Sequence, residues 1–227
     1  MKPVNLLRPV PVVLCFILLL AGCSEEPPHI IQIFHQTNVV KDLQQEDIYP
    51  QLSLFVHAED DDGTDDIDSI YLIQDEKELF WELDDQNWES FEEQGEYWVG
   101  SNRIVMNDYS PLPWGDYRLL IIDAAGERDE REIYIAKPEY TPEETEFPQV
   151  AVENGKVVVS GGEKQRTYWT VREDGQLIKT VKTTDPEISV TTLTGSSEEQ
   201  RGEPFAFYLY IYDPVLGIGK IIGPFYF

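Results

Sequence analysis

Alternation of apolar and polar residues with a period of two is the feature that most limits the fold of this chain. Leu52, Leu54 and Val56 share one face of a short segment, while Ser53 and His57 share the other. Successive side chains of a strand point to opposite sides of a sheet, whereas a helix repeats every 3.6 residues. The pattern recurs between Asp-, Gly- and Pro-rich turns, so the sequence predicts an all-β protein with antiparallel sheets.

The first predicted domain covers residues 30–137, and its candidate strands are as short and closely spaced as those of a β-sandwich. The segment Asp84–Gln94 is ambiguous, because the helical spacing of Trp88 and Phe91 fits a short helix or an edge loop as well as a strand. The other strands are predicted at Ile30–His35, Leu52–Ala58, Ser69–Gln74, Glu78–Leu83, Glu96–Val99, Arg103–Met106, Asp116–Asp123 and Arg131–Ala136.

A stretch rich in proline and glutamate, residues 138–148, interrupts this apolar pattern. Proline fixes φ and removes a backbone donor, so a segment with three prolines cannot form a helix interior or a central strand. We therefore predict a linker here, between the first domain and a second one that covers residues 149–227.

Hairpin signals dominate the second predicted domain. Asn154-Gly155 and Asp174-Gly175 each stand between two apolar runs and supply the positive φ angles of a two-residue turn. Later strands are predicted at Glu187–Thr192, Phe205–Tyr212 and Ile218–Phe227. In Phe205–Tyr212 large apolar residues alternate with tyrosines, so one face of this strand can be buried while tyrosines line the other.

One segment of the first domain resembles a known fold family. A Gly115-x-Tyr117 entry, an alternating strand and an Asp123-Ala-Ala-Gly126 turn resemble the penultimate strand and the following hairpin of immunoglobulin-like and fibronectin type III-like domains. The resemblance implies two tandem immunoglobulin-like β-sandwiches. It also implies that Tyr117 is a tyrosine corner, with its ring in the core and its hydroxyl bonded to backbone in the preceding connection.

The first 22 residues have the layout of an export signal. Lys2 and Arg8 precede an apolar run from Val10 to Leu20, which is too short to span a membrane and is soon followed by charge. The closing residues Leu20-Ala21-Gly22-Cys23 resemble the lipobox of bacterial lipoproteins. An ordinary secretory signal in which Cys23 falls by chance is the alternative.

The lipoprotein resemblance implies cleavage between Gly22 and Cys23, and attachment of a diacylglyceryl group and further acyl chains such as palmitate to Cys23. Two or three chains make a stable membrane anchor, whereas one gives only marginal binding. Residues 23–29 would then form the acylated cysteine and a polar, Pro-rich tether. Ser24 indicates the outer membrane if the host is diderm. In any other host the protein would lie on the outer face of the cell membrane.

Charge and cysteine usage narrow the possible partners. The formal net charge of −26 opposes binding to nucleic acid and to anionic lipid headgroups, so charged partners should be basic proteins or metal cations. Cys15 leaves with the signal and Cys23 is acylated. The exported body therefore has no disulfide, no cysteine nucleophile and no thiolate metal site.

An acidic loop from Glu59 to Asp68 is the strongest candidate for a metal site, since it holds seven carboxylates in ten residues. Calcium prefers six to eight oxygen ligands, but the EF-hand register fails when Gly63 is placed at the sixth position. The loop resembles the Asp-x-Asp-Gly connections of cadherin-like and polycystic-kidney-disease-like repeats, some of which bind calcium. The alternative, which we favour, is a solvated turn whose Asp and Gly residues bond to local backbone. The candidate ligands are Asp60, Asp62, Asp65, Asp66 and Asp68.

Four tryptophans of the first domain, Trp81, Trp88, Trp98 and Trp114, are candidate ligand-binding aromatics. Flat rings can pack on the apolar faces of sugars while nearby carboxylates accept hydroxyl hydrogen bonds. The alternative, which we favour, is packing in the core or at strand edges, because large aromatics dominate cores and the spacing of these four follows no single strand face.

Signals for an enzyme are few. No Gly-x-Ser-x-Gly elbow, phosphate loop or zinc-type histidine spacing occurs, and a catalytic triad could use only His35 or His57. We expect no catalytic residues and no cofactor other than calcium. The sequence thus predicts a lipid-anchored envelope protein with a non-enzymatic binding or structural role, whose partner is an envelope protein or a glycan. A carbohydrate-active or carbohydrate-binding protein and a calcium-rigidified spacer are the alternatives.

Overall fold

The structure is a computed structural model, which describes residues 26–60, 66–137, 139, 141–172, 177–195 and 205–226. The all-β sandwich fold predicted from the sequence is confirmed. The strands are β1 His29–Asp42, β2 Asp47–Glu59, β3 Ile67–Gln74, β4 Leu79–Leu83, β5 Glu89–Glu93, β6 Glu96–Ile104, β7 Gly115–Asp123, β8 Arg128–Ile135, β9 Gln149–Glu153, β10 Lys156–Ser160, β11 Arg166–Arg172, β12 Leu177–Thr183, β13 Glu187–Ser189, β14 Phe205–Asp213 and β15 Ile218–Tyr226. A helix, α1, covers Val190–Thr194, and 3₁₀ turns cover Asp75–Lys77 and Pro142–Glu144.

These strands form three sheets. An eight-stranded sheet, called here the large sheet, has the order β12-β11-β14-β15-β1-β2-β6-β5. A four-stranded sheet, β4-β3-β7-β8, and a three-stranded sheet, β13-β10-β9, complete the fold. Both smaller sheets pack on the same side of the large sheet, which we call its inner face.

Two hydrophobic cores lie under this inner face. The first core, between the large and the four-stranded sheet, contains Ile30, Leu52, Leu54, Val56, Ala58, Ile67, Ile70, Leu72, Leu83, Val99, Ile104, Tyr117, Leu119, Ile121, Ile133 and Ile135. The second core, under the three-stranded sheet and α1, contains Val157, Val159, Tyr168, Ile188, Leu193, Phe207, Leu209, Ile211 and Ile222. The predicted segments 30–137 and 149–227 thus each enclose a core of their own.

The prediction of two separate sandwiches needs one correction, because the large sheet belongs to both segments. Strand β1 pairs antiparallel with β2 and parallel with β15, from Asn38 opposite Gly219 to Asp42 opposite Gly223. We call this parallel pairing the seam. The sequence predicted β1 only as far as His35, because the apolar alternation ends where polar residues begin.

Hydrogen bonds made by side chains allow β1 to continue through these polar residues. The Asn38 side-chain amide donates to Ser53 Oγ at 2.8 Å, and Gln36 Nε2 donates to the Gly217 carbonyl at 2.8 Å. Burying a polar group is tolerated when it has such partners. The apolar pattern alone could not reveal them.

Two local predictions are confirmed in detail. The Tyr117 ring is buried in the first core and its hydroxyl donates to the Pro113 carbonyl at 2.6 Å, as a tyrosine corner requires. Asn154 and Gly155 have φ angles of 51° and 73° and join β9 to β10 in a hairpin. The predicted turn Asp174-Gly175 lies outside the described residues.

Three strand predictions are corrected. The predicted strands Glu96–Val99 and Arg103–Met106 fall on one strand, β6, which passes through Gly100 and ends at Ile104. Its register shifts opposite Leu52 and Leu54. The ambiguous segment Asp84–Gln94 contains the edge strand β5. The predicted strand Glu187–Thr192 ends at Ser189, because the Ser189 hydroxyl accepts the Thr192 N–H and caps α1.

Candidate binding face

The outer face of the large sheet, opposite the two smaller sheets, is the candidate site. Side chains alternate across the sheet, so residues next to the core residues in sequence point outward. Across eight strands this face is about 34 Å wide, from seven interstrand spacings of about 4.8 Å. Of the described helices and strands outside the large sheet, none lies on this side. It carries the aromatic side chains Phe34, Tyr49, Phe55, Phe91, Trp98, Trp169, Tyr208, Tyr210 and Tyr212.

A phenyl patch, made of Phe34, Phe55, Phe91 and Trp98, lies on the strands of the first segment. Phe34 is directly opposite Phe55, and Phe91 is directly opposite Trp98. The rings of Phe55 and Phe91 meet edge to face with centroids 5.2 Å apart, since Gly100 between their strands has no side chain. Phe55 and Trp98 are buried, whereas Phe34 is 48% and Phe91 42% exposed. Two rings of the patch are therefore available to a ligand.

A polar ladder crosses the same strands beside this patch. The Asn38 amide donates to Ser53 Oγ at 2.8 Å, and Ser53 Oγ donates to Asn102 Oδ1 at 2.8 Å. The Asn102 amide in turn donates to Glu89 Oε2 at 3.1 Å. The ladder runs from a fully buried amide in β1 to a half-exposed carboxylate at the sheet edge. Its outer members can exchange hydrogen bonds with a polar ligand.

A tyrosine patch, made of Tyr49, Tyr109, Tyr208 and Tyr210, lies on the other side of the ladder. The rings of Tyr49 and Tyr109 are 4.5 Å apart. Burial, together with the charge of Asp42 and the neighbouring phenols, raises the pKa of Tyr49 to about 12. Burial also raises the pKa values of Tyr208 and Tyr210. The hydroxyls of Tyr49, Tyr208 and Tyr210 therefore stay protonated at neutral pH and can donate hydrogen bonds.

Glycines of β15 let the tyrosine patch lie close to the sheet. A Cβ on Gly219 would stand 2.0 Å from Asn38 Oδ1 and 2.5 Å from the Tyr210 ring, and a Cβ on Gly223 would stand 2.6 Å from the Tyr208 ring. The two rings therefore lie over the bare backbone of β15. This packing fixes the rings, because a close-packed side chain has few alternative rotamers.

The four predicted tryptophans do not form one platform. Trp81 and Trp88 pack against the first core, and Trp81 Nε1 donates to the Val105 carbonyl at 2.8 Å. Trp114 is exposed, with Lys137 Nζ 5.9 Å from its ring centroid. Only Trp98 belongs to the outer face. The tryptophan spacing followed no strand face because the four rings lie in different layers.

The acidic loop is described only at its two ends. Asp60 follows β2, Asp66 and Asp68 lie at the start of β3, and Asp62 and Asp65 lie outside the described residues. Among the side chains that are described, no group of three or more metal-binding residues comes together. Calcium binding by the complete loop stays a prediction.

The histidines available for a triad lie on opposite faces of the large sheet. His57 is buried on the outer face, and its Nδ1 lies 3.0 Å from the Tyr97 carbonyl, which makes Nδ1 the protonated nitrogen. His35 lies on the inner side of β1, opposite Leu54, and burial lowers its pKa. Neither geometry tests the expectation that the protein is not an enzyme, which stays a prediction.

A cleft of about 510 Å³ opens at the end of the second core, beside the linker. Lys220 and Asp213 line it and form an ion pair with a distance of 2.8 Å between Nζ and Oδ2. The hydrogen bond from Lys220 lowers the pKa of Asp213. The pair neutralises itself, so the cleft offers no free charge from these two groups.

The predicted lipidation residue Cys23 and the cleavage site at Gly22 lie outside the described residues. Within the described part of the chain, no helix has the length and apolar character needed to cross a membrane.

Sequence reasoning identified only part of the outer face. It found the tyrosines of β14 and placed Ser53 and His57 opposite the core residues of β2, but it did not connect these faces. The signal that could have found Phe34 and Phe55 is parity, the alternation of side chains along a strand, because Ile33 packs against the first core and Leu54 and Val56 belong to it. Phe91 gives no such signal, because its neighbours in sequence are exposed. What the sequence lacked was the strand order that brings the outward positions together.

Comparisons with known proteins give no family. No family model matches the sequence, and no curated protein matches it. Solved structures that match this chain include Tp47, the 47-kilodalton lipoprotein of Treponema pallidum, with a TM-score of 0.37, 8% identity, and coverage of 89% of this chain and 52% of that one. Dimeric latent PorU from Porphyromonas gingivalis has a TM-score of 0.35, 10% identity, and coverage of 89% and 21%. The chain thus spans about half the length of the first and a fifth of the second.

Proposed function

We propose that this protein is a lipid-anchored protein of the bacterial envelope that binds a glycan chain on the outer face of its large sheet, without catalysis. The observation that carries the proposal is the open face itself, on which exposed phenylalanine rings, a hydrogen-bonding ladder and fixed tyrosines follow one another. Cys23 supplies the anchor in this proposal, and the β-sandwich body supplies the binding surface.

The alternation of rings and polar groups supports a sugar ligand over an apolar one. Phe34 and Phe91 offer flat apolar surfaces, while Glu89 and Asn102 beside the phenyl patch accept and donate hydrogen bonds. Pyranose rings have apolar faces and hydroxyl edges, and both need partners when water is removed. A purely hydrophobic ligand would cover Glu89 and Asn102 without offering them any hydrogen bond of its own.

The negative charge of the protein limits which glycans can bind. The net charge of −26 repels polyanionic polymers, and the ligand-facing rim of the phenyl patch contains the carboxylate of Glu89. Arg103 Nε lies 3.9 Å from Glu89 Oε1 and offsets it only in part. We therefore propose a neutral or amino-sugar-containing chain as the ligand.

The direct test is binding of the full chain, purified in detergent micelles, to an array of neutral, cationic and anionic glycans. The double variant Phe34→Ala/Phe91→Ala should raise the Kd for a neutral hit by about tenfold or more, which corresponds to about 1.4 kcal/mol. Both side chains are partly exposed, so the variant should keep its fold.

The matched control is Phe80→Ala/Tyr134→Ala, which removes two exposed rings from the four-stranded sheet. This variant should bind with unchanged affinity. Equal loss in both variants, preference for anionic glycans, or no saturable binding by the parent protein would each contradict the proposal.

The anchor is tested separately. Mass spectrometry of the mature N-terminus should find a thioether-linked diacylglyceryl group on Cys23, and Cys23→Ala should release the protein from membranes. An unmodified thiol on the membrane-bound protein would refute lipid anchoring, while leaving the glycan proposal intact.

A further inference from the structure

The seam covers only half of one edge of β1. Strand β15 pairs with β1 from Asn38 to Asp42, whereas β2 pairs with β1 along almost its whole length. From Ile31 to Thr37 the β15 side of β1 therefore has no strand partner among the described residues. We call this stretch the edge notch. It is about 23 Å long at about 3.3 Å per residue, which is room for one short strand.

Both ends of the edge notch are closed by side chains. At one end the Ile30 N–H donates to Asp129 Oδ2 at 3.0 Å. At the other end Gln36 Nε2 donates to the carbonyls of Thr37, at 3.0 Å, and Gly217, at 2.8 Å. The backbone between these caps stays available for pairing, and Ile31 beside it is 52% exposed.

The edge notch lacks the charged side chains that the other sheet edges carry. A register shift between Ile30 and Gln32 places a β-bulge at one end of it, and the stretch from Gln32 to Thr37 pairs regularly with β2. Proteins guard free strand edges with charged residues or proline, because an unguarded edge pairs with other chains. The terminal strands β4, β5, β8, β9, β12 and β13 each contain at least one charged residue. Ile31 to Thr37 contains no acidic residue, lysine, arginine or proline.

We propose that the edge notch is a docking site for an extended, cationic segment of a partner protein, which adds a strand to β1. Backbone hydrogen bonds supply the affinity in this mode, and alternating side chains supply the specificity. The cation requirement follows from the net charge of the chain, −26, which attracts a cationic partner and repels an anionic one. Asp129 at the mouth of the edge notch adds little to this attraction, because it is already paired with Arg131 at 2.7 Å. Two copies of so acidic a body repel each other, which disfavours pairing of one edge notch with another.

The test uses the full chain in detergent micelles and a capped octapeptide of sequence Lys-Val-Thr-Val-Lys-Val-Thr-Lys. Amide hydrogen exchange should show saturable protection confined to residues 31–37. Three changes should each raise the Kd at least tenfold: replacement of every lysine in the peptide by glutamate, N-methylation of two consecutive central residues, and Ile31→Lys in the protein. N-methylation of two neighbours removes a donor from either edge of the peptide.

The control variant Val152→Lys adds the same charge at an exposed position on another edge strand and should bind the peptide as the parent does. Glycan binding should be unchanged by Ile31→Lys, so this proposal and the proposed function fail independently. Equal binding of the N-methylated peptide, protection on β5 or β12 instead, or no saturable protection at millimolar peptide would overturn the proposal. So would a dimer dispersed by Ile31→Lys in sedimentation, because the occupant would then be a second copy.

Discussion

The two hydrophobic cores each enclose a fully buried tyrosine, but the surroundings of the two hydroxyls differ. Tyr117 in the first core donates to the Pro113 carbonyl at 2.6 Å. Tyr168 in the second core is 0% exposed, and its hydroxyl has no hydrogen-bond partner in the described part of the chain. The loop before β7 supplies an acceptor to the first hydroxyl, whereas none of the described groups around Tyr168 bonds to the second.

The cover of the second core is also smaller. A four-stranded sheet covers the first core, while the second has a three-stranded sheet and the single turn of α1. We infer that the second core depends more on its neighbours, through the seam to β1 and through the Asp213–Lys220 ion pair. The first two predictions below test this dependence, and the other two test the difference between the tyrosine hydroxyls.

The largest loss of stability is expected from Gly219→Ala, which disturbs the strand pairing at the seam. The new Cβ would stand 2.0 Å from Asn38 Oδ1, so the close pairing of β15 with β1 must give way. We expect a loss of about 3 kcal/mol, the upper range for overpacking, with the second core unfolding before the first. Denaturant melts followed by fluorescence and by hydrogen exchange would separate the two transitions.

A glycine without neighbours gives the control for this variant. Gly95 has nothing within 4 Å of a Cβ, but its φ is +87°, so Gly95→Ala should cost about 1 kcal/mol from backbone strain alone. Equal losses in the two variants, or a single transition common to both cores in Gly219→Ala, would remove the distinction between the cores.

The second largest effect should come from Asp213→Asn. Both side chains of the Asp213–Lys220 pair are mostly buried, so the variant leaves Lys220 without its partner and should lose about 2 kcal/mol at neutral pH. The folded-state pKa of Asp213 is lowered, so its contribution is present above the unfolded pKa of about 4 and is lost as pH falls below it. The stability difference between parent and variant should therefore close in acid.

An exposed pair in the first segment is the control for Asp213→Asn. Arg118 Nε lies 2.6 Å from Asp75 Oδ2, but the pair is open to solvent and its contribution is screened by salt. Asp75→Asn should leave the melting curve unchanged at physiological ionic strength. A larger loss in Asp75→Asn than in Asp213→Asn would contradict our view of the second core.

Replacing each of the two buried tyrosines by phenylalanine should change the stability by smaller amounts and in opposite directions. Tyr117→Phe removes a hydrogen bond and should destabilise the protein by about 1 kcal/mol. Tyr168→Phe removes a buried hydroxyl without a partner among the described residues, so it should be neutral or stabilise by up to about 1 kcal/mol. Chemical denaturation of the two single variants decides the sign. Destabilisation by both would mean that Tyr168 has a partner, such as a buried water.

The smallest effect concerns alkaline pH. Burial raises the pKa of Tyr117 to about 12 and raises that of Tyr168 as well. The folded state therefore holds these protons more tightly than the unfolded state, and stability should fall as pH rises from about 10 to about 12. Each Tyr→Phe variant should show a shallower fall over this range. An unchanged slope in both variants would assign the alkaline loss to other groups.

Much of the local structure could be predicted from sequence because it depends on near neighbours. The Asn154-Gly155 turn needs two positive φ angles, and Tyr117 bonds to a residue only four positions earlier, so short patterns suffice for both. The edge strand β5 and the end of β13 at Ser189 were uncertain or wrong, because packing and a cap decide them rather than apolar period.

The candidate site could not be predicted from the sequence for a different reason. Phe34 and Phe91 meet the polar ladder only because β1, β2, β6 and β5 are adjacent in the large sheet. Parity tells which side of its own strand each ring occupies, but the order of strands depends on long-range pairing. The pairing at the seam was the hardest to predict, since no residue near Asn38 in the sequence indicates that Gly219 is its partner.

The seam also affects the order in which the two segments can fold. Gln36 and Gly217, which meet at its end, are separated by 181 residues. A chain that emerges N-terminus first must keep half of the β1 edge open until β15 has followed, and contacts between such distant residues form slowly. The first segment can thus complete its own core before the C-terminal strand is available, while the second has to wait for the strand that joins them.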